Sequence, residues 1–396
     1  MKLCWLIASD SSGGITPVAI SCCRQATQAG YETTMLMLLK PTRITNNYNF
    51  KISSLELTGW AAETPVNLLQ WLNENHQDIL FFNACGELEA IIPYLPPNIK
   101  CVFVAHDTAP PYWGKALEEE DNLEAIVAVS ETVASKFRHR LKNPQKLSVI
   151  YNGCLFPELL DINITRQDDL IFLGGDNPTK GAFDVLKLWK KLINLGFRGK
   201  LHWFGNITPE FLTQIKQLPN SEAIHIYGYV ARDVIFSSAA SAKVLLMLSR
   251  VEPFGMATIE AMSMGCVPVA WDVETGTKEI TTANETALFA PLGNTQALAK
   301  QVLYACRNYE AFGANVIERA RSNFNEALMW QGYEALIDYI STLQPIERSK
   351  QCQQPTLYQV PVQRFQLLPP RLRSVIREFI GRSPFLGYWL RDLRGW

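Results

Sequence analysis

The sequence predicts an α/β protein made of two doubly wound, parallel-sheet domains in tandem, followed by an amphipathic helical tail. Three observations predict it. Short apolar runs alternate with segments of helical periodicity over most of the chain. The alternation stops and restarts once, near residue 160. Beyond residue 342 it gives way to a polar, proline-broken stretch and an arginine-rich end. The expected boundaries are 1–158, 165–342 and 343–396.

In the first domain KLCWLIA, YETTMLML, DILFFNA, KCVFVAH, AIVAVS and LSVIYNG read as strands. They are apolar almost throughout, as parallel strands covered on both faces must be. Helices are expected at 17–29 and 65–75, and SETVASKF at 130–137 opens another with Ser130 as its N-cap. In the second domain the strands are LIFLGG, KLHWFG, AIHIYGY, KVLLMLS and CVPVAWD. Its helices are expected at 181–195, 231–241, 256–264, 294–307 and 325–342. Such domains bind ligands at the carboxyl ends of their strands, so a cleft between two such edges is the expected site.

Bulk properties narrow the function. The chain has 396 residues, 47% hydrophobic and 19% charged, which fits ordinary cores and argues against widespread disorder. A net charge of −1 excludes nucleic acid as a whole-molecule electrostatic match. None of the nine cysteines forms a C-x-x-C pair, so neither a zinc site nor a disulfide framework is expected. Buried thiols in a reducing compartment are the default. The first apolar run is too short for a signal peptide, and no run reaches the roughly 18–20 residues of a membrane span. A cytoplasmic location follows as an expectation.

The tail carries Arg371, Arg373, Arg377, Arg382, Arg391 and Arg394 against only Glu378 and Asp392. Leu372, Val375, Ile376, Phe379 and Ile380 recur at helical spacing. Two readings stay open: a terminal helix packed on the body, or a peripheral foot at 371–396 on the anionic inner face of a membrane.

The chemistry concentrates in SRVEPFGMATIEAMSMGCVPVAWDVETGTKEI, Ser249 to Ile280. Glu252 and Glu260 bracket a turn that opens a helix at Met256. A helix N-terminus offers unpaired N–H groups that suit a phosphate, at Gly255, Met256 and Ala257. Gly255 lets a ligand approach the backbone. A carboxylate accepts hydrogen bonds from neighbouring sugar hydroxyls. Phosphate flanked by hydroxyls describes a nucleotide-sugar.

This stretch resembles the donor signature of retaining glycosyltransferases with the GT-B fold, of the glycosyltransferase group 1 and family 4 type. Glu252 and Glu260 match its Glu, seven residues, Glu pattern. The resemblance implies two Rossmann-like domains, with Glu252 near the donor sugar's hydroxyls and Glu260 on the ribose. DVETGTKEI is similar to a second family segment, which brings in Thr275 and Gly276. It also implies that Gly13 and Gly14 lie beside the donor phosphates and that His106 faces the donor sugar. One departure matters: where the family commonly reads G-R-x-x-x-x-K-G, this chain has GGDNPTKG, keeping Lys180 but placing Gly175 at the arginine position.

The resemblance implies a hexosyltransferase of polysaccharide biosynthesis type, with Glu252, Lys180 and His106 as its catalytic set. Its donor would be UDP- or GDP-linked, and its acceptor a glycan or lipid-linked. No D-x-D pair occurs, so no metal and no other cofactor is expected. Two alternatives are a nucleotide-sugar epimerase of the same fold and a non-catalytic binding or partner subunit, the latter motivated by Gly175.

Overall fold

The computed structural model describes residues 1–10, 13–44, 47–57, 62–83, 85–158 and 166–359, and five positions beyond them: 369, 372, 375, 376 and 379. It divides into two compact units, the first built from Met1–Leu155 with the described residues 325–359, the second from Phe156–Phe324.

The first unit is built on seven parallel strands: β1 (Lys2–Ile7), β2 (Glu32–Leu39), β3 (Lys51–Leu57), β4 (Ile79–Phe82), β5 (Lys100–Ala105), β6 (Ala125–Ala128) and β7 (Leu147–Val149). Their order in the sheet is β3-β2-β1-β4-β5-β6-β7. The direction of winding reverses between β1 and β4, so the chain leaving β1, β4 and β5 emerges at one carboxyl edge. β3 escaped the sequence reading because KISSLEL has no apolar run; it is a half-buried edge strand. Ser130 caps the short helix Glu131–Ala134, its Oγ accepting from the Val133 amide at 3.0 Å. That helix ends earlier than the expected 137, in successive turns.

Aromatic packing also decides where the last helix belongs. Trp5 of β1 stacks on Phe81 of β4 with ring centroids 4.3 Å apart. Trp330 and Tyr333, on the helix Glu326–Thr342, pack against Trp5. Glu326 accepts from Gln25 at 2.9 Å and pairs with Arg24, both on the helix Ile15–Gln28. This helix therefore lies in the first unit, whereas its sequence position had grouped it with the second domain through 342.

The start of the expected linker is equally well docked on the first unit. Arg348 is buried and donates to the carbonyls of Pro96 (3.1 Å) and Asn122 (3.0 Å), and to Glu124 (3.1 Å). The Tyr358 amide donates to the Ala62 carbonyl at 2.7 Å.

The second unit repeats the topology with six parallel strands: β8 (Gln167–Leu173), β9 (Leu201–Phe204), β10 (Ile224–Gly228), β11 (Ala242–Met247), β12 (Val267–Trp271) and β13 (Leu288–Ala290), ordered β10-β9-β8-β11-β12-β13. Ile171 and Leu245 pack with Ala239, Ala261 and Cys266 in its core. Eight cysteines are buried and only Cys352 is exposed; none is in a disulfide. Among the described residues no helix is long and apolar enough to cross a membrane.

Candidate functional site

The site is built where β11 ends and the helix Met256–Ser263 begins. Gly255 precedes that helix at φ +108°, a left-handed conformation that side chains rarely adopt. Among the described residues no side chain caps the helix and the amides of Met256 and Ala257 have no acceptor, and both residues are half-exposed. Thr258 Oγ1 is buried there and has no hydrogen-bond partner among the described residues. The segment 275–280 locks onto this turn. The Gly276 amide donates to the Glu252 carbonyl at 2.7 Å, and a Cβ on Gly276 would lie 2.4 Å from Phe254 Cα. Glycine is required at 276 by that close approach. Thr275 is buried just before the turn.

Both signature carboxylates are buried and each is held through one oxygen. Glu252 Oε2 accepts from Lys180 Nζ at 2.7 Å and from Ser249 Oγ at 3.1 Å. Glu260, one turn inside the helix, accepts through Oε1 from Arg232 at 2.5 Å. The second oxygen of each has no partner among the described residues. Burial pushes the Glu260 carboxyl above the usual carboxylate range, and the Arg232 guanidinium opposes that rise.

A buried ion pair fixes the loop that carries Lys180. Arg250 donates to the Pro178 carbonyl at 3.1 Å and to Asp184 at 2.7 Å, while its own amide donates to the Thr179 carbonyl at 3.1 Å. Trp271 Nε1 donates to the same Asp184 oxygen at 3.1 Å. One arginine thus ties the Lys180 loop to the Glu252 loop, and the close approach of Gly181 to Leu248 completes the contact. Burial lowers the Arg250 pKa and raises that of Asp184, each opposed by its partner's charge. A pair this deep is strongly coupled: removing either member strands the other.

Gly175 has a local reason. It sits at φ +53°, and a Cβ there would lie 2.4 Å from the Asn206 carbonyl oxygen. Its carbonyl accepts from Trp203 Nε1 at 2.8 Å and its amide donates to the Phe204 carbonyl at 2.8 Å. This turn has no room for an arginine.

The remaining expected residues belong to the first unit. Among the described residues nothing lies within 4 Å of where a Cβ on Gly13 (φ +54°) would stand, and no side chain caps the helix Ile15–Gln28 that Gly14 precedes. His106 follows β5 and Asn83 follows β4. His106 Nε2 lies 2.9 Å from Asn83 Oδ1, and burial pulls the imidazole pKa down to about 4. Among the described residues no group of three or more His, Cys, Asp or Glu is placed to hold a metal ion.

Sequence similarity agrees with this geometry. Residues 161–323 match the family Glycosyl transferases group 1, and residues 12–154 match Glycosyltransferase Family 4. Both domains are glycosyltransferase domains. Together they form a GT-B chain, and solved structures share the fold. Sucrose-phosphate synthase from Thermosynechococcus elongatus superposes with a TM-score of 0.71 at 15% identity, covering 87% of this chain and 100% of that one. HepE from Anabaena, crystallised with UDP and glucose, gives a TM-score of 0.67 at 16% identity over 87% of this chain and 100% of that one. A curated relative, the N-acetyl-alpha-D-glucosaminyl L-malate synthase of Bacillus anthracis, is 24% identical over 217 residues. That match spans 51% of this chain and 55% of the synthase.

Several residues of these glycosyltransferase domains escaped sequence reasoning. Arg232 lies outside the signature, and nothing local marks it as the partner of Glu260. Arg250 is next to Ser249 in the quoted stretch, but its buried partner Asp184 is 66 residues away. Asn83 stands at a strand end, as many asparagines do. Only the fold brings these side chains to their partners.

Proposed function

We propose that the chain is a metal-independent, retaining hexosyltransferase that takes its sugar from a UDP- or GDP-linked donor and passes it to a glycan or lipid-linked acceptor. One observation carries the reading. Glu252 and Glu260 each use one oxygen on a cation and keep the other to accept ligand hydroxyls, and they flank an uncapped helix N-terminus suited to phosphate. Glu260 takes the ribose and Glu252 the sugar, with Gly255, Met256, Ala257, Thr275 and Gly276 shaping the seat; Gly13 and Gly14 serve the donor from the first domain.

An ammonium has three donors. Lys180 spends one on Glu252 and keeps two for the diphosphate, so Glu252 also orients the lysine. The bond between the anomeric carbon and the leaving phosphate oxygen breaks, and its electron pair stays on the phosphate. The acceptor oxygen then bonds to that carbon on the same face, and its proton passes to the departing phosphate. Fixed donors at the developing charge do the main work. With Gly175 in place of a second cation, Lys180 and the amides at 255–257 carry that load. Glu252→Ala is expected to abolish transfer and leave the thermal unfolding profile near that of the parent; undiminished transfer would refute the role. Incubation with donor alone separates the epimerase, which would return an altered sugar still on its nucleotide.

A peripheral membrane contact is part of the proposal. Leu372, Val375 and Phe379 are helical and 45%, 61% and 67% exposed, so the apolar spacing faces solvent at these positions. Ile376, also helical, is half-buried, and the other tail residues of 371–396 lie outside the described ones. With six arginines in the tail, the fitting partner is an anionic bilayer surface. A chain ending at Gln359 keeps the docked Arg348 and Tyr358, so it is the correct control for flotation. The full chain should float with anionic vesicles and the shortened chain should not; equal flotation removes the idea.

A further inference from the structure

The sequence reading leaves unused an asparagine that touches the half-buried His106. Asn83 is buried, and its side chain makes three hydrogen bonds. Nδ2 donates to the carbonyls of Leu6 (3.2 Å) and Phe81 (3.0 Å), and Oδ1 faces His106 Nε2 at 2.9 Å. The amide cannot be turned over, because a flip would set Oδ1 against two carbonyl oxygens. Its orientation is therefore fixed by backbone on β1 and β4. An oxygen that can only accept then requires a hydrogen on Nε2, and in a neutral imidazole Nδ1 is left with the lone pair.

We propose that Asn83 is a positioning residue that holds His106 as the Nε2–H tautomer, so that Nδ1 is presented as an acceptor for a ligand hydroxyl. The chain of support runs from two β-strand carbonyls through one amide to one ring nitrogen. Among the described residues nothing else holds the His106 ring by a hydrogen bond. Burial, which pulls the imidazole pKa down to about 4, keeps it neutral near pH 7. A ring free to exchange tautomers would offer a donor part of the time and lose its preference for a hydroxyl proton. That the hydroxyl belongs to the transferred sugar rests on the donor reading above; the tautomer does not.

The test reads the ring directly. The full chain, labelled with 15N-histidine, gives long-range 1H–15N correlations, and His106→Gln assigns the signal among five histidines. The free protein should show Nε2 protonated and Nδ1 unprotonated, unchanged from pH 8 to pH 6. In Asn83→Ala the two nitrogens should move toward the averaged values of exchanging tautomers. A proton on Nδ1 in the parent protein overturns the proposal without any variant, and so does an Asn83→Ala ring identical to the parent's. In a second arm, UDP-glucose is the probe. Asn83→Ala should weaken its binding several-fold, as His106→Gln does, and equal binding by all three proteins overturns the hydroxyl-accepting role alone. If UDP-glucose binds none of them while the ring behaves as stated, the donor reading fails and the tautomer stands.

Discussion

The carboxyl edges of the two sheets are alike in topology and different in chemistry. Both sheets reverse their winding between the first and fourth strands of the unit, which puts a ligand-accepting edge at the same place in each. At the edge of the second unit, the acids Glu252 and Glu260 are matched to Lys180 and Arg232, and Arg250 with Asp184 supports them from below. At the edge of the first unit two groups are neutral instead, His106 after β5 and Glu89 on the short helix Gly86–Glu89 after β4. Burial pulls the His106 imidazole down to about 4 and lifts the Glu89 carboxyl to about 8, so both are uncharged near neutrality. Sheet order fixes where a ligand meets the chain; the loops after each strand decide what it meets. A diphosphate calls for the ionic edge. A sugar hydroxyl suits either.

The comparison breaks first at Arg250. If ion pairs hold the second edge together, Arg250→Ala should cost about 3–5 kcal/mol, because Asp184 is left buried and charged without its partner. Denaturant midpoints measure this, and a cost below 1 kcal/mol would mean the loops hold without the staple. Gly175→Arg sharpens the same side. It places a side chain at φ +53° with its Cβ against the Asn206 carbonyl, so about 2 kcal/mol or more of stability should be lost and no transfer activity gained. A faster, equally stable variant would show that the turn can relax and that the missing cation matters more than the local geometry.

A pH series tests the neutral groups of the first edge. In the unfolded chain Glu89 ionises near 4.5, whereas in the folded unit it holds its proton to about 8. Between those values the native state binds a proton that the unfolded state has lost, so stability falls as pH rises through the window and levels off above it. Glu89→Gln removes the dependence. Its advantage over the parent should be near zero below pH 4.5 and grow to about 5 kcal/mol above pH 8. A flat difference across that range would mean Glu89 is ionised in the native protein.

Much of this was legible in the sequence, for stated reasons. Buried parallel strands are continuous apolar runs, so KLCWLIA and KVLLMLS announced themselves, while the edge strand KISSLEL did not. The helix at 256 could be placed because Gly255 and the apolar periodicity agree. The partners of the site residues were not legible. Lys180 to Glu252 spans 72 positions, and Asn83 to His106 spans 23, distances over which no local periodicity speaks. The last helix was grouped by its place in the chain; Trp330 and Tyr333 belong instead to the aromatic cluster around Trp5.

The account stands or falls on whether the second domain seats a sugar nucleotide between its two acids. The direct measurement is the shift in unfolding temperature caused by a panel of UDP- and GDP-linked sugars, in the parent and in Glu260→Ala, since a ligand that binds only the folded state stabilises it. At least one of them should raise the melting point of the parent by several degrees, and that rise should be largely lost in the variant. A panel that leaves the parent unmoved, or that stabilises Glu260→Ala equally, would contradict it.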